Sequence, residues 1–382
     1  MPWAETSAVQ ERIRFIKDYQ SGLYHMTELC ARFGVSRQSG YKWVDRYLEH
    51  GASGLEDRSR APHHCPHRMS PAAARAIVAT RHRHPTWGPR KLLAWLADRH
   101  PELELPSPGR AGALLARQGL VKPRKRPRRR WEHPGRPCFP VQAPNDLWTA
   151  DFKGQFRLGN RDYCYPLTVA DQHTRYLLGI QGMDATDGYG VQGRFERWFR
   201  EAGLPRAIQT DNGPPFASRG IHGLSQLSVW WIELGIQPVR IEPSHPEQNG
   251  AHERMHRTLK AETARPPAPN QRAQQRRFDR FRKIYNEERP HEALCQKPPA
   301  SRWRPSPRPY PERIPVPDYP ERFEIRWVSD AGTFCWTSPM FIGVALAGKQ
   351  VGLEEIDDGI WSVYFHNVLL GRFDERSLTL YP

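Results

Sequence analysis

Two aspartates occur in strand-like segments, where a carboxylate suits a chemical role better than a packing role. Asp151 is part of the apolar, aromatic stretch LWTADFKGQFRL, in which an unpaired carboxylate is costly unless a cation or hydrogen bonds compensate it. Asp211 follows the apolar residues of AIQTDNGPPF and precedes an Asn212-Gly213 turn, so a strand ends and a loop begins there. We therefore expect Asp211 to project into a cleft and Asp151 to need a partner.

Two glutamates compete for the position of a third carboxylate. Glu247 lies 36 positions beyond Asp211 in a Pro-flanked turn, whereas Glu253 lies 42 positions beyond it and opens the helix-like run AHERMHRTLKAE. On that helix, Glu253 shares one face with three cationic side chains, His256, Arg257 and Lys260. Such a face suits a bound metal and the phosphates around it, so we assign Glu253 to the metal and the other three to DNA. The alternative is a solvated helix face.

The segments NDLWTADFKG, QTDNGPPF and HPEQNGAHERMHRTLK resemble the three signatures of the retroviral-integrase type of DDE recombinase. They are most similar to bacterial insertion-sequence transposases of the insertion sequence 481 group, and the resemblance covers most of the chain. It implies that Asp151, Asp211 and Glu253 form a catalytic triad that binds Mg²⁺, with Mn²⁺ as a substitute, and that Lys260 approaches DNA. The Asp211 to Glu253 separation exceeds the usual integrase spacing, and we assign the surplus to a loop at residues 218–224.

The implied function is that of a DNA transposase. Such a protein binds the terminal inverted repeats of an insertion sequence and catalyses Mg-dependent 3′-end cleavage and strand transfer into target DNA. The expected partners are double-stranded DNA, as element ends and as target, and a second copy of the chain, since two ends imply at least a dimer on DNA. Two alternatives stay open: a sequence-specific DNA-binding regulator with an inactive core, against which the triad argues, and an RNase H-like nuclease that only hydrolyses.

Length and charge agree with a multidomain protein that binds a polyanion. A chain of 382 residues is too long for one ordinary core and suggests two to four domains. The formal net charge is +16, and from residue 321 onward nine acidic residues face five basic ones. That stretch therefore carries −4, which leaves +20 for residues 1–320. We expect the DNA-facing surface to lie upstream of residue 321.

Six scattered cysteines without a Cys-x-x-Cys pair fit a reduced, cytoplasmic protein. No apolar run reaches the roughly 18 residues of a membrane span, and the N-terminus lacks the order of a signal peptide. We expect a cytoplasmic protein, associated with the nucleoid when bound to DNA, and no membrane partner. The cluster His63, His64, Cys65 and His67 has metal-binding residue types, but no second ligand pair at suitable spacing accompanies it.

The first 55 residues are predicted to form a helix-turn-helix unit. A helical repeat ends near Gly22, and the following stretch reads as a helix, a Gly34 turn, a Ser36 N-cap and a second helix. The residues predicted to pack inward are Val35, Tyr41, Val44 and Leu48. The residues predicted to enter the major groove are Arg37, Gln38, Lys42 and Arg46. The alternative is a plain three-helix bundle with a charged exterior.

A linker at residues 56–69 precedes a second helix-turn-helix unit, residues 70–121. Its Pro residues follow Ser70 and Ser107, as at helix starts, and its last helix carries the candidate DNA contacts Arg110 and Arg117. A basic linker follows at residues 122–143. Seven of the nine residues in KPRKRPRRR are basic and two are prolines, so we predict an extended strap that binds phosphates. The candidate contacts there are Lys122, Arg124, Lys125, Arg126, Arg128, Arg129 and Arg130.

Residues 144–292 are predicted to form an α/β, RNase H-like catalytic core with a following helix. Three hairpin-linked strands are followed by alternating helices and strands, which is typical of a mixed sheet. A Pro-rich linker, residues 293–320, leads to residues 321–382, where alternating apolar and polar residues predict a small C-terminal β-barrel. Its negative charge favours protein contacts within an assembled complex over a nucleic-acid-binding role.

The choice between the two glutamates is testable by matched substitutions. Glu253→Gln keeps size and hydrogen-bonding capacity but removes the charge that would hold a metal, so DNA joining should fall by orders of magnitude while DNA binding persists. Glu247→Gln should retain substantial activity. End cleavage and strand joining are scored separately at equal protein and Mg²⁺ concentrations. An active Glu253→Gln beside an inactive Glu247→Gln would move the third carboxylate to the loop.

Overall fold

The computed structural model describes residues 7–59, 69–121, 139–186, 190–211, 213–218, 223–242 and 245–381. The chain divides into two compact units, Met1–Arg68 and Met69–Pro382. The candidate phosphate contacts of the basic strap, Lys122 to Arg130, and the His63 to His67 cluster lie outside the described residues. Within the described part of the chain, no helix is both long and apolar enough to span a membrane.

The first unit is a helix-turn-helix bundle. Its helices are α1 (Ala8–Gln20), α2 (Met26–Arg32) and α3 (Arg37–His50). The side chain of Ser36 accepts a hydrogen bond from the Ser39 amide at 3.2 Å and so caps α3, as predicted. The buried core comprises Phe15, Ile16, Leu29, Cys30, Val44 and Leu55.

The buried face of α3 differs from the predicted one. Val44 is buried, but Val35, Tyr41 and Leu48 are 37%, 53% and 73% exposed. The reason is Gly40, where an added Cβ would lie 2.6 Å from the Cys30 sulfur. Helix α3 therefore packs on α2 through a glycine, and the spacing of apolar residues does not reveal that contact. Of the predicted DNA contacts, Arg37, Gln38 and Lys42 are exposed.

Arg46 differs from the other three predicted contacts because it is half-buried. Its guanidinium lies 4.9 Å from the centre of the Trp43 ring, which also carries Arg12 at 3.9 Å. Stacking against an indole fixes the side chain and desolvates part of it. Arg46 is thus held against a side chain of its own helix, and its contact with DNA stays a prediction.

The second unit begins with three helices, α4 (Pro71–Arg83), α5 (Pro89–Arg99) and α6 (Pro108–Arg117). Ser70 and Ser107 cap α4 and α6 as predicted. The residues that form the centre of this bundle are Ile77, Trp87, Leu92, Leu93, Trp95, Leu96, Ala111 and Leu115. Arg110 and Arg117 are both exposed on α6.

These three helices are attached to the residues that follow the core sheet. Ile284 packs against their apolar cluster. Arg90 pairs with Glu292 at 2.9 Å, and the Lys91 ammonium donates a hydrogen bond to the Pro290 carbonyl oxygen. The α4–α6 bundle is therefore held on the core.

A mixed six-stranded sheet forms the centre of the second unit. Its strands are β1 (Leu147–Phe152), β2 (Phe156–Arg157), β3 (Tyr163–Asp171), β4 (Leu177–Met183), β5 (Ala207–Thr210) and β6 (Gln237–Arg240). The order is β2-β3-β1-β5-β6, with β4 also paired to β3. Pairing is antiparallel from β1 through β3 to β4 and parallel from β1 through β5 to β6. This topology agrees with the predicted RNase H-like core.

Four helices cover the two faces of the sheet. One apolar cluster joins strands to α7 (Val191–Ala202) and α8 (Gln226–Glu233), and it includes Trp230 and Trp231. A second cluster joins the other face to α9 (Gly250–Thr263) and α10 (Gln271–Glu287). Because both faces are covered, the sheet is a rigid support for side chains at its strand ends.

The Pro-rich segment is fixed to this core. Trp303 stacks on Tyr176 with ring centres 4.1 Å apart and planes 8° from parallel. The Arg308 guanidinium donates to the carbonyl oxygens of Leu234 and Gly235, each at 2.9 Å, at the end of α8. These bonds satisfy helix-end carbonyls and hold the segment against the core.

The C-terminal strands form a sheet as predicted, but a closed β-barrel is not confirmed. The strands are β7 (Glu324–Trp327), β8 (Thr333–Cys335), β9 (Pro339–Phe341), β10 (Gln350–Asp357), β11 (Ile360–Phe365), β12 (Val368–Asp374) and β13 (Thr379–Tyr381). Five form an antiparallel sheet in the order β13-β12-β11-β10-β7, while β8 and β9 form a separate hairpin. In the described chain, the edge strands β7 and β13 do not meet.

The apolar side of the C-terminal sheet packs against α8 of the core. Its apolar side shares one buried cluster with Val229 and Ile232 of α8. Lys349 also pairs with Glu233 of α8 at 2.6 Å. Helix α8 therefore covers part of the apolar side of the sheet.

The exposed side chains of α3 allow the predicted role of this helix in DNA recognition to be tested. Replacing Arg37, Gln38 and Lys42 together by Ala should abolish preference for the element's terminal repeats, because these side chains would read base edges. Footprinting on repeat and unrelated DNA measures it. The control is the double variant Arg14→Ala with Lys17→Ala. It also removes two positive charges, but from exposed positions of α1. Unchanged protection of the repeats by the triple variant would show that α3 is not the reader.

Candidate active site

The pairing of β1 with β5 brings two aspartates to neighbouring strand ends. The parallel register sets Leu147 opposite Ala207 and Thr149 opposite Gln209. Two residues beyond the last of these pairs, Asp151 lies near the end of β1 and Asp211 directly follows β5. The Gly213 amide donates to the Asp211 carboxylate at 3.3 Å.

The predicted surplus loop closes on itself after Asp211. Ala217 and Leu224 form an isolated antiparallel bridge, and the Ser218 amide donates to the Gly223 carbonyl oxygen at 2.8 Å. The ends of the loop therefore lie close together. Extra residues between them lengthen the chain without moving α8 away from β5.

Glu253 lies in the first turn of α9, with its side chain exposed. A cleft of about 580 Å³ opens beside it, and Asp151 lies in its wall. Arg257 and Lys260, both predicted DNA contacts, are exposed and line the same cleft. Asp211 is not part of this lining.

Two further cationic side chains line the cleft, Lys153 and Arg265, and neither was predicted from the sequence as a site residue. Lys153 follows Asp151 by two positions, so the alternation of a strand was the available signal for it. Arg265 lies just beyond the end of α9, where no local pattern in the sequence points to the cleft. With Arg257 and Lys260 they make a cationic wall around the carboxylates, which suits phosphate oxygens.

The pKa of Asp151 depends on the charges of the other two carboxylates, Asp211 and Glu253. Burial, followed by the charge of Asp211 and a smaller contribution from Glu253, raises the pKa of Asp151 to about 7, while Lys153 opposes the shift. Asp151, with Asp211 and Glu253 close enough to raise its pKa, belongs to an oxygen-rich donor set of the kind that Mg²⁺ and Mn²⁺ prefer. The residues present therefore fit a divalent cation, which would relieve the repulsion.

His256 does not lie on the exposed face of α9 as predicted. It is 4% exposed, and its Nε2 lies 2.7 Å from the Thr168 hydroxyl. On a helix of 3.6 residues per turn, residue 256 lies about 60° from Glu253, toward His252. His252 is 2% exposed. Spacing by three or four residues does not fix the rotation of a helix about its axis, and here α9 turns His256 toward the sheet.

The two buried histidines have lowered pKa values. Burial lowers the pKa of His252 to about 3. Burial, followed by the neighbouring His252 and Lys153, lowers the pKa of His256 still further. Both imidazoles are thus neutral at physiological pH. Asp151, His252 and His256 have potential ligand atoms that all lie within 4.8 Å of one another.

Glu247, the competing glutamate, lies in a 3-10 turn, Pro246–Asn249, directly before α9. Its side chain lies outside the described atoms. The assignment of Glu253 rather than Glu247 stays a prediction.

Comparison with known families identifies the domains of this chain. Residues 141–246 and 234–299 match integrase core domains. Residues 11–63 match a helix-turn-helix domain, and residues 39–115 match a homeodomain-like domain. The chain therefore carries an integrase core domain preceded by DNA-binding helical domains.

Relatives of the chain are proteins of bacterial insertion elements. The chain is 33% identical over 163 residues to the insertion element IS476 uncharacterized 39.2 kDa protein of Xanthomonas euvesicatoria, covering 41% of this chain and 44% of the relative. It is 32% identical over 154 residues to the insertion element IS407 uncharacterized 31.7 kDa protein of Burkholderia multivorans, covering 40% and 53%. The chain thus spans about half the length of the curated relatives it matches. The resemblance to insertion-element proteins of the integrase type is confirmed, while the insertion sequence 481 group stays a prediction.

Solved structures of retroviral integrases are also similar. One is the HTLV-2 integrase catalytic core domain in complex with magnesium, in its trimeric form, with 15% identity, 42% of this chain and 98% of that chain covered, and a TM-score of 0.34. Another is the simian T-cell lymphotropic virus intasome in complex with the PP2A regulatory subunit B56 gamma, with 17% identity, 77% and 98% covered, and a TM-score of 0.39.

The raised pKa of Asp151 predicts a pH-dependent stability. Since its folded pKa of about 7 exceeds the ordinary aspartate pKa of 3.8, ionisation destabilises the fold increasingly as pH rises from about 4 to about 7. Asp151→Asn mimics the protonated form. Without divalent ions, its free energy of unfolding should exceed that of the wild type by up to about 4 kcal/mol at pH 8 and by about half of that at pH 5.5.

Urea unfolding at the two pH values, with and without Mg²⁺, measures this difference. Mg²⁺ should stabilise the wild type and leave Asp151→Asn nearly unchanged, which narrows the gap. A gap that is equal at both pH values would contradict the raised pKa.

Proposed function

We propose that the protein is a DDE transposase that binds the terminal inverted repeats of an insertion sequence, releases their 3′ ends and joins them to target DNA in a Mg-dependent reaction. The observation that carries this proposal is a cationic cleft on an integrase core domain that Asp151 and Glu253 line, with Asp211 close enough to raise the pKa of Asp151. The relationship to insertion-element proteins supports DNA as substrate.

In this proposal, Asp151, Asp211 and Glu253 hold two divalent ions. Bound Mg²⁺ would lower the pKa of the attacking water or 3′-OH and neutralise charge on the attacking and leaving oxygens. The residues of the chain supply the ligands and fix their spacing through the β1–β5 pairing and the packing of α9. No covalent intermediate with the protein is required.

The two DNA steps are the same in-line displacement with different nucleophiles. In cleavage, a water oxygen bonds to the phosphorus, the bond to the 3′ oxygen breaks, and the element end leaves as a free 3′-OH. In joining, that 3′ oxygen bonds to a target phosphorus, and the target's own 3′ oxygen leaves with a proton. One set of carboxylates therefore serves both steps.

The cationic wall of the cleft would bind the phosphates on either side of the reacting one. Lys153, Arg257, Lys260 and Arg265 lie close enough to the carboxylates to line one cleft with them. An arginine guanidinium contacts two phosphate oxygens at once, which orients the strand, whereas a lysine acts as a point charge. These side chains would hold the scissile phosphate in line for attack.

Recognition of the ends is assigned to the helical units. Arg37, Gln38 and Lys42 on α3, with Arg110 and Arg117 on α6, are exposed and suited to DNA. The strap at residues 122–130 would add sequence-independent phosphate contacts. Two ends joined in one reaction require at least a dimer on DNA.

The decisive experiment incubates the protein with Mg²⁺ and DNA that carries the terminal repeats flanking its own gene. Joined products are expected for the wild type, and Asp211→Asn should reduce them by orders of magnitude because a ligand charge is lost. The matched control is Asp330→Asn, an exposed aspartate in the C-terminal region that should retain activity. Cleaved but never joined DNA would favour a hydrolytic nuclease, and binding without cleavage would favour a regulator.

A further inference from the structure

The hydroxyl of Thr168 has more short contacts than a hydroxyl has protons. It lies 3.0 Å from the Asp151 main-chain oxygen and 2.7 Å from Nε2 of both His252 and His256. A hydroxyl donates one hydrogen bond and accepts two. The Asp151 carbonyl oxygen only accepts, so Thr168 donates to it, and both imidazoles must donate their Nε2–H groups to Thr168.

This proton count leaves the other nitrogen of His256 with a lone pair. The ring is 4% exposed, and among the described side chains no carboxylate lies within hydrogen-bonding distance to stabilise a second proton. Its Nδ1 lies 3.7 Å from the Asp151 carboxylate oxygen Oδ2, which is too long for a hydrogen bond. Two ligand atoms that each lie about 2.1 Å from one ion can be up to about 4.2 Å apart. The spacing therefore suits a shared cation.

His252 has a different role in the same cluster. Its Nδ1 lies 2.7 Å from the Thr149 hydroxyl, and its Nε2 contacts Thr168, so both ring nitrogens have partners. The residue has no nitrogen left for an ion. It instead fixes Thr168, which in turn fixes the tautomer and orientation of His256, as partners of metal-binding histidines commonly do.

We propose that His256 provides Nδ1 as a nitrogen ligand to the divalent ion that Asp151 holds. The proposal rests on the proposed function, because it assumes an ion at the carboxylates. Imidazole is a better ligand for first-row transition ions than for Mg²⁺. His256 therefore raises the preference of this site for Mn²⁺ over Mg²⁺.

Pulsed electron paramagnetic resonance of Mn²⁺ bound to the full chain without DNA tests this proposal. Nuclear coupling to ¹⁴N should appear in the wild type and change to ¹⁵N coupling in protein made with ¹⁵N-histidine. The labelling identifies a histidine ligand without any substitution. Bound Mn²⁺ that depends on Asp151 but lacks nitrogen coupling would overturn the proposal and leave the proposed function standing.

A substitution then identifies which histidine is the ligand. Glutamine reaches about as far as Nε2 of histidine, so His256→Gln can still donate to Thr168 while it lacks Nδ1. It should lose the nitrogen coupling and weaken Mn²⁺ binding by at least about tenfold, with a smaller change for Mg²⁺. His82→Gln, at an exposed position of α4, is the control and should keep both. Nitrogen coupling that persists in His256→Gln would assign the ligand elsewhere.

Measuring Mn²⁺ binding to Asp151→Asn distinguishes failure of the His256 proposal from failure of the proposed function. Asp151→Asn should abolish the coupled Mn²⁺ signal. If Mn²⁺ binds Asp151→Asn as tightly as the wild type, the ion does not lie at the carboxylates, and both proposals fall. Urea unfolding of each variant verifies that the fold is retained.

Discussion

The hydrogen bonds between β1 and β5 hold Asp151 and Asp211 at adjacent strand ends, where like charges repel. The sheet cannot relax this repulsion by separating the strands, because both of its faces are covered by buried apolar clusters. Each cluster buries several aromatic side chains, and burial of one such side chain stabilises a fold by about 1.5–3 kcal/mol. The packing on both faces thus outweighs the cost of keeping the charges together, and the site is strained toward binding a cation.

Helix α9 completes the arrangement by presenting two faces with opposite chemistry. Met255 and Leu259 anchor it in the apolar cluster of the sheet, while Glu253, Arg257 and Lys260 face the cleft. His252 and His256 lie between these faces, and their hydrogen bonds to threonines of β1 and β3 set the rotation of the helix. The position of Glu253 therefore depends on buried polar contacts as much as on apolar packing.

Much of this core could be predicted from local sequence signals. The strands that lead to Asp151 and Asp211 were predicted from their apolar residues and, for Asp211, from the Asn212-Gly213 turn, and β1 and β5 confirm both. What failed were properties set by contacts distant in sequence. Gly40 changes the buried face of α3, and α8 packs on the apolar side of the C-terminal sheet, a contact that alternation alone does not predict.

The site shows the same division between local and distant information. Residue types and spacing pointed to Asp151, Asp211 and Glu253, but the burial of His256 depends on Thr168, which lies on a strand 88 residues earlier in the chain. Arg265 lies just beyond the end of α9 and reaches the cleft through the path of the backbone, for which a helical or strand period contains no signal.

The packing of the C-terminal sheet on α8 has a consequence for how the chain matures during translation. Val229 and Ile232 form part of the catalytic core's α8, yet their apolar partners, such as Val351 and Phe373, are synthesised more than a hundred residues later. Until those residues leave the ribosome, α8 exposes apolar surface to solvent and to other nascent chains. The core therefore gains its full protection against aggregation only late in synthesis, which couples its maturation to the last strands of the sheet.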